Sequence, residues 1–191
     1  NLSCVGDERE YSHIMSPYGD NLADKALGSA LFGLSNVKTY SYLDRGSDER
    51  QFCSPLINLP VCTFCKTKFG EYPEYHTNAD DFSLVTEKGL QDSFDVMKVI
   101  INAFELALYP KVVYRGEPQL GKRGLYPNIS QKSGDIHPAQ VRMNIIAYCN
   151  GLNNVFEISK FTKLPLKIIL AELSILIKEK LVIDNSRSYN Q

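Results

Sequence analysis

Several features are scarce or absent in this chain of 191 residues. It has no tryptophan, three methionines and three histidines, and its 21 basic and 22 acidic side chains leave a net charge of −1. Nowhere does it reach the roughly 18 consecutive apolar residues of a membrane-spanning helix, since lysine and glutamate interrupt even segment 164–183. With 43% hydrophobic and 23% charged residues, the composition is globular and excludes fibrous, disordered and membrane-spanning classes.

Cysteine is also scarce, and the count of five is odd. An odd count argues against a disulfide framework and predicts a cytoplasmic protein in a reducing compartment. Cys62 and Cys65 have the C-x-x-C spacing of zinc knuckles and redox sites. They lie in a predicted strand, however, where alternation places two thiols at this spacing on opposite faces. We therefore expect buried free cysteines and keep a metal or redox role as the alternative.

Charge and composition divide the chain into segments. Residues 1–109 contain 9 basic and 16 acidic side chains, whereas residues 110–138 contain 5 and 2, and residues 139–191 contain 7 and 4. Glycine and proline are concentrated in 110–138. These shifts predict an acidic α/β domain over 1–109, a connector or small β element over 110–138, a separate domain over 139–184 and a tail over 185–191.

Strand-like and helix-like patterns alternate in the first domain. Short apolar or alternating runs predict strands at 2–6, 37–43 and 58–64, and helical spacing of apolar residues predicts helices over 20–32 and 83–108. This alternation is typical of a layered α/β fold. The sequence therefore predicts a sheet with helices packed on it.

The last segment has a different pattern. It predicts three helices over 141–149, 154–161 and 165–178, the second capped by Asn154, followed by a short strand at 181–183. That order is typical of a winged helix-turn-helix. The would-be recognition helix 165–178 is mostly apolar and lacks a basic stripe, so we expect packing or oligomerisation there, and nucleic acid is not the favoured partner.

Two polar loops, 45–55 and 69–81, follow predicted strands, and Asp7 ends another. Loops after parallel strands share one edge of a sheet, where ligands bind. Asp7, Asp48 and His76 are therefore predicted to meet there, and imidazole with carboxylate suits zinc. Ordinary loop hydrogen bonds are the alternative for each residue. His13 and His137 have no ligand-like neighbours in the sequence and are expected at the surface.

Four segments in a fixed order, 46–55, 58–61, 70–77 and 116–126, resemble the aminopeptidase-like family often encoded among polysaccharide-biosynthesis genes. This family is similar to the zinc exopeptidases that include bacterial leucyl aminopeptidase and glutaminyl cyclase. The resemblance implies zinc as cofactor, with Asp7 and His76 as ligands. It also implies a substrate pocket lined by Asp48, Glu49 and Tyr75, in which Glu49 stands where the wider group has histidine.

The resemblance also implies upstream motifs that this sequence does not contain: Cys-His-Pro and Asn-Asp for zinc, and Pro-Glu-Thr with the general base. We therefore expect a partial zinc-exopeptidase-like sheet followed by a winged helix, belonging to a larger hydrolase of peptide-like or amide substrates and inactive alone. An incomplete sheet exposes an edge, which favours a homo-oligomer. The alternative is a binding or regulatory protein in which the winged helix contacts DNA or a protein partner.

Overall fold

A computed structural model describes residues 1–126 and 138–186 of the chain. His137, the tail after 186 and part of the predicted connector lie outside these described residues. The chain divides into two compact units, Asn1–Ile100 and Ile101–Gln191.

The first unit is built on a small mixed sheet. Its strands are β1 (Tyr11–Ile14), β2 (Val37–Tyr40) and β3 (Thr63–Cys65), in the order β2-β1-β3. β1 runs parallel to β2 and antiparallel to β3. The expectation of a parallel sheet was therefore wrong for β3, and this changes which loops share an edge.

The N-terminal segment adds to the free side of β3. The predicted strand 2–6 is reduced to a single parallel bridge between Leu2 and Phe64. Main-chain hydrogen bonds continue alongside it, from Ser3 N to Phe64 O at 3.1 Å and from Lys66 N to Cys4 O at 2.9 Å. The segment and β3 therefore run in the same direction and deliver their following loops to the same edge of the sheet.

Helices cover one face of this sheet. Helix α1 (Leu22–Leu31) starts at Asn21, whose side chain accepts hydrogen bonds from the amides of Ala23 and Asp24. Helix α3 (Glu87–Ala107) supplies Val96 to the same core. That core consists of Leu27, Leu31, Cys62, Phe64 and Val96. On the opposite face, Ile14, Cys65 and Phe69 form a second small core. The short helix α2 (Glu49–Phe52) contacts β3 through a hydrogen bond from Thr63 to Glu49, and a 3₁₀ turn lies at Tyr42–Asp44.

The second unit has the predicted winged helix-turn-helix order. Helices α4 (Pro138–Tyr148), α5 (Val155–Thr162) and α6 (Leu166–Lys178) are followed by β5 (Val182–Asp184), which pairs antiparallel with β4 (Pro110–Val112). A 3₁₀ turn at Leu120–Arg123 follows β4. The Asn154 cap is confirmed, since its side chain accepts from the amides of Phe156 and Glu157. None of the helices in the described ranges is long and apolar enough to span a bilayer.

Candidate functional site

The loop after β3 brings four rings together. The ring centroids of Phe69 and Tyr75 are 6.3 Å apart, and Tyr72 meets Tyr75 edge to face at 5.7 Å. His76 then stacks on Tyr75 at 4.0 Å with an interplanar angle of 18°. Tyr72 is buried and Tyr75 half-buried, so the cluster forms a fixed wall that ends in an exposed imidazole.

The backbone of His76 is in the left-handed region, with φ +58°. That conformation is uncommon for residues other than glycine, although histidine is enriched there, and such residues cluster at functional sites. The exposed ring stacks on Tyr75, and its nitrogens have no hydrogen-bond partner within residues 1–126 and 138–186. Its nitrogens are therefore accessible to a ligand.

Asp7 lies at the base of the same loop and is buried. Its Oδ1 accepts hydrogen bonds from Thr67 Oγ1 at 2.7 Å and from the Arg9 amide at 2.9 Å. Its Oδ2 accepts from the Thr67 amide at 2.8 Å. The carboxylate thus ties the N-terminal segment to the residues that follow β3.

A second link joins the same two segments nearer to His76. The Arg9 guanidinium donates to both carboxylate oxygens of Glu74, at 2.7 and 3.1 Å. The hydrogen bond to Glu74 raises the pKa of Arg9 and lowers that of Glu74. The arginine also lies over the Tyr72 ring at 6.0 Å. This contact anchors the loop that bears His76 to the segment that contains Asp7.

Asp48 and Glu49 have opposite environments although they are neighbours. Asp48 is exposed at the start of α2, whereas Glu49 is fully buried. Glu49 Oε1 accepts from the amides of Gly46 and Ser47 at 2.7 and 2.9 Å, and its Oε2 accepts from Thr63 Oγ1 at 2.9 Å. The predicted pocket residue Glu49 therefore lies inside the protein, where it closes the 45–50 loop onto the sheet.

The mixed sheet also separates Asp48 from Asp7. Because β3 is antiparallel to β1 and β2, the loop after β2 leaves the edge opposite to the one that bears Asp7 and Thr67. Glu49 bonds to Thr63 at the beginning of β3, which agrees with this placement. The premise that Asp7, Asp48 and His76 share one edge of a parallel sheet was wrong. The aromatic cluster does reach the 45–55 loop, because the Phe69 ring lies against Gly46.

Asp7 and His76 do not complete a zinc site among the described residues. A zinc centre needs at least three protein ligands, and no group of three or more histidine, cysteine and acidic side chains in 1–126 and 138–186 includes either residue. This pair could hold a metal only with ligands from outside the described chain.

The prediction for His13 was wrong, whereas the two cysteines of the C-x-x-C motif lie where strand alternation places them. His13 was expected at the surface but is buried in β1, where its Nε2 lies 3.1 Å from Asp24 Oδ1. Sequence reasoning missed it because β1 itself, Tyr-Ser-His-Ile, has two polar residues among four and no clear alternation. Cys62 and Cys65 form no disulfide, and they contribute to cores on opposite faces of the sheet, as strand alternation predicts. Burial raises the pKa of each thiol to about 12.

In the winged helix, the solvent-facing residues of α6 are a mixed set. They are Lys167, Ile168, Ala171, Ser174, Ile175 and Lys178. Two lysines and two isoleucines provide few groups that hydrogen-bond to base edges and no continuous basic stripe. The expectation that nucleic acid is not the favoured partner of this helix stays a prediction.

The two units of the chain match two different family models. Residues 1–107 match the family described as a domain of unknown function, DUF4910, and residues 107–184 match a winged helix-turn-helix family. The chain belongs to the DUF4910 family.

Two relatives from Clostridium acetobutylicum connect this family to peptidases. One is named as a proposed polysaccharide biosynthesis protein with an aminopeptidase-like domain, and it is 33% identical over 163 residues, covering 82% of this chain and 36% of the relative. The other is a crystal structure of a proposed peptidase, with a TM-score of 0.78 and 27% identity over 95% of this chain and 40% of that one. The chain is thus peptidase-like, and it spans about a third of the length of the curated relative.

Proposed function

We propose that residues 1–107 form part of a zinc-dependent aminopeptidase-like hydrolase, with His76 and Asp7 contributing to its metal centre. The observation that supports this proposal best is the exposed His76 imidazole, stacked on Tyr75 and held in a left-handed backbone conformation beside the Asp7 anchor. In this proposal the rings of Tyr72 and Tyr75 border the substrate, which is a peptide-like or amide compound. Asp48, which is exposed in the 45–55 loop, remains a candidate substrate contact.

This chain alone should not hydrolyse such substrates. For this centre, two candidate ligands and no general base are identified among residues 1–126 and 138–186, whereas zinc hydrolases use three protein ligands and a base. We expect the remaining ligands and the base to come from parts of a longer protein, since the curated relative extends well beyond the matched 36%. We further propose that this protein is cytoplasmic, in keeping with its five cysteines, which form no disulfide with one another.

The winged helix and the sheet edge are the proposed partner surfaces. Among the described residues β2 pairs only with β1, and the first three residues of β2 are solvent-exposed. An exposed strand edge can pair with another chain, so we propose self-association of this fragment through β2. Light scattering over a range of concentrations tests this, and a monomer at every concentration would exclude it.

The enzymatic proposal is tested by comparing the 191-residue chain with the gene-length product. We expect aminoacyl-anilide hydrolysis in the longer product only, and elemental analysis should find a higher zinc content per chain in it than in the 191-residue chain. His76→Ala in that product should remove most of the hydrolysis and lower zinc content. The matched control is Asn78→Ala, an exposed position in the same loop, which should leave both unchanged. Full activity in the His76→Ala variant would refute the assignment of His76.

A further inference from the structure

A second cluster of metal-binding side chains lies on the other face of the sheet. His13 comes from β1, Asp24 from the first turn of α1 and Cys62 from the residue preceding β3. All three are buried, with exposed fractions of 6%, 4% and 7%. His13 and Asp24 are 11 residues apart in sequence and Cys62 lies much further along, so the packing of α1 onto the sheet brings the three together.

The spacing of their ligand atoms is close to that of a coordinated metal. His13 Nε2 and Asp24 Oδ1 are 3.1 Å apart, and one ligand atom from each of the three residues lies within 4.8 Å of the other two. Tetrahedral zinc, with bonds of about 2.0–2.3 Å, places its ligand atoms about 3.3–3.8 Å apart. Side-chain shifts of about an ångström would therefore convert the observed arrangement into a coordination sphere.

The surroundings hold the carboxylate in place for this role. Asp24 Oδ1 accepts a hydrogen bond from the Ser16 amide at 3.0 Å, and Oδ2 accepts one from the Ser16 hydroxyl. Ser16 is in turn held by Asn21, whose Nδ2 donates to Ser16 Oγ at 2.6 Å. Such outer contacts orient the ligands in protein metal sites.

Charge and ligand type favour zinc. A neutral imidazole, a carboxylate and a thiolate sum to −2, which balances a divalent cation in a buried position where net charge is costly. Thiolate and imidazole together select zinc over magnesium or calcium, which prefer oxygen ligands.

We propose that His13, Asp24 and Cys62 bind a zinc ion that fastens α1 to the sheet. On binding, zinc replaces the proton of the Cys62 thiol, which is released to solvent, and a water molecule completes the fourth position. This structural site is separate from Asp7 and His76, lies on the opposite face and does not rest on the proposed hydrolase activity. The competing explanation is a hydrogen-bonded pair of His13 and Asp24 beside a thiol that binds no metal.

Cobalt substitution separates these explanations in the full 191-residue chain. After chelation and dialysis, addition of Co²⁺ should produce a thiolate-to-cobalt charge-transfer band and the d–d bands of a tetrahedral site, saturating at one ion per chain. Cys62→Ser should abolish the charge-transfer band, and Asp24→Asn should weaken binding by more than about 100-fold, beyond the range known for outer contacts. No charge-transfer band in the folded wild type would overturn the proposal.

Two matched controls make the result specific. Cys65→Ser changes a thiol that is also buried but lies on the opposite face of the sheet. The Cys65→Ser variant should retain the charge-transfer band. His76→Ala should also retain it, which separates this site from the proposed hydrolase centre. Persistence of the band in folded Cys62→Ser would refute the assignment. If Cys62→Ser fails to fold, zinc-edge X-ray absorption of the wild type decides, because a shell without sulfur would exclude Cys62 as a ligand.

Discussion

The two units of the chain bury very different side chains. Eleven buried polar or charged residues lie in Asn1–Ile100, against three in the described part of Ile101–Gln191. The eleven are Asp7, Glu10, Ser12, His13, Ser16, Asp24, Glu49, Thr63, Lys66, Thr67 and Ser93. Buried polar groups need partners and shape the chemistry of a protein. The contrast shows that buried polar side chains, the groups from which sites are built, are concentrated in the first unit.

The three buried polar residues of the second unit all have local structural roles. Arg142 Nε donates to Glu172 at 2.7 Å and its Nη1 to Leu125 O at 2.6 Å. Asn154 caps α5, and Ser159 Oγ donates to Leu164 O at 2.7 Å. Each joins or ends helices, and none points to a ligand. We therefore expect substitutions in the first unit to act through buried polar contacts, and substitutions in the second unit to act through apolar packing and helix caps.

The largest effect is expected at Glu49. Glu49→Ala would leave the Gly46 and Ser47 amides and the Thr63 hydroxyl without their acceptor. The Thr63 hydroxyl contact is buried and the two amide contacts are partly buried. An unsatisfied buried donor costs about 1–3 kcal/mol, so the free energy of unfolding should fall by about 4 kcal/mol in total. Urea denaturation measures the loss. The exposed neighbour Asp48→Ala is the control and should change stability by less than about 0.5 kcal/mol. Equal effects at both positions would contradict the buried placement of Glu49.

A somewhat smaller loss is expected from the apolar core of the second unit. Leu173 is fully buried in α6, whereas Ile168 on the same helix is 42% exposed. Leu173→Ala should reduce the free energy of unfolding by about 3 kcal/mol, because it removes buried apolar surface and leaves a cavity. Ile168→Ala, the control, should cost less than about 1 kcal/mol. Comparable losses would show that α6 packs through a different face.

The next effect depends on pH and is specific to the first unit. Burial raises the pKa of Asp24, but hydrogen bonds from His13 and Ser16 outweigh it and hold the pKa below the usual 3.8. Burial likewise raises the pKa of Glu49, and hydrogen bonds from Ser47 and Gly46 bring it below 4.5. A carboxyl group with a lowered folded pKa stabilises the fold above its unfolded pKa, and this contribution disappears as the pH falls through the folded value.

The free energy of unfolding of the wild type should therefore decrease as the pH falls below the unfolded value of 4.5 for Glu49. Urea titrations at successive pH values test this in the wild type and in Glu49→Gln, which cannot ionise at that position. The difference in stability between the two proteins should shrink with acidity. A difference independent of pH would mean that Glu49 is not stabilised as a carboxylate.

The smallest effect compares the caps of α1 and α5. Asn154→Ala should cost about 1 kcal/mol, the usual loss for an asparagine cap. Asn21→Ala should cost more, because Asn21 also donates to Ser16, the residue that holds Asp24. Urea denaturation of both variants measures the difference. Equal costs would indicate that the polar network around Asp24 adds nothing to the cap.

Local features of the second unit could be predicted closely from the sequence. The helices predicted over 154–161 and 165–178 correspond to Val155–Thr162 and Leu166–Lys178, and Asn154 caps the first. Both features depend on residues three or four positions apart, so helical spacing and capping chemistry are sufficient to reveal them. The resemblance of the 70–77 segment to an aminopeptidase-like family was likewise visible in the order of its motifs.

Only the tertiary structure decided the placement of the polar residues in the first unit. Strand direction in β3, and with it the separation of Asp48 from Asp7, follows from pairings across some fifty residues that no local pattern encodes. Glu49 turned inward because the amides of its own loop and Thr63 needed an acceptor. His13, Asp24 and Cys62 met because α1 packed on β1. The sequence by itself determined the helices, the winged order and the family, whereas long-range packing determined which side chains could act together.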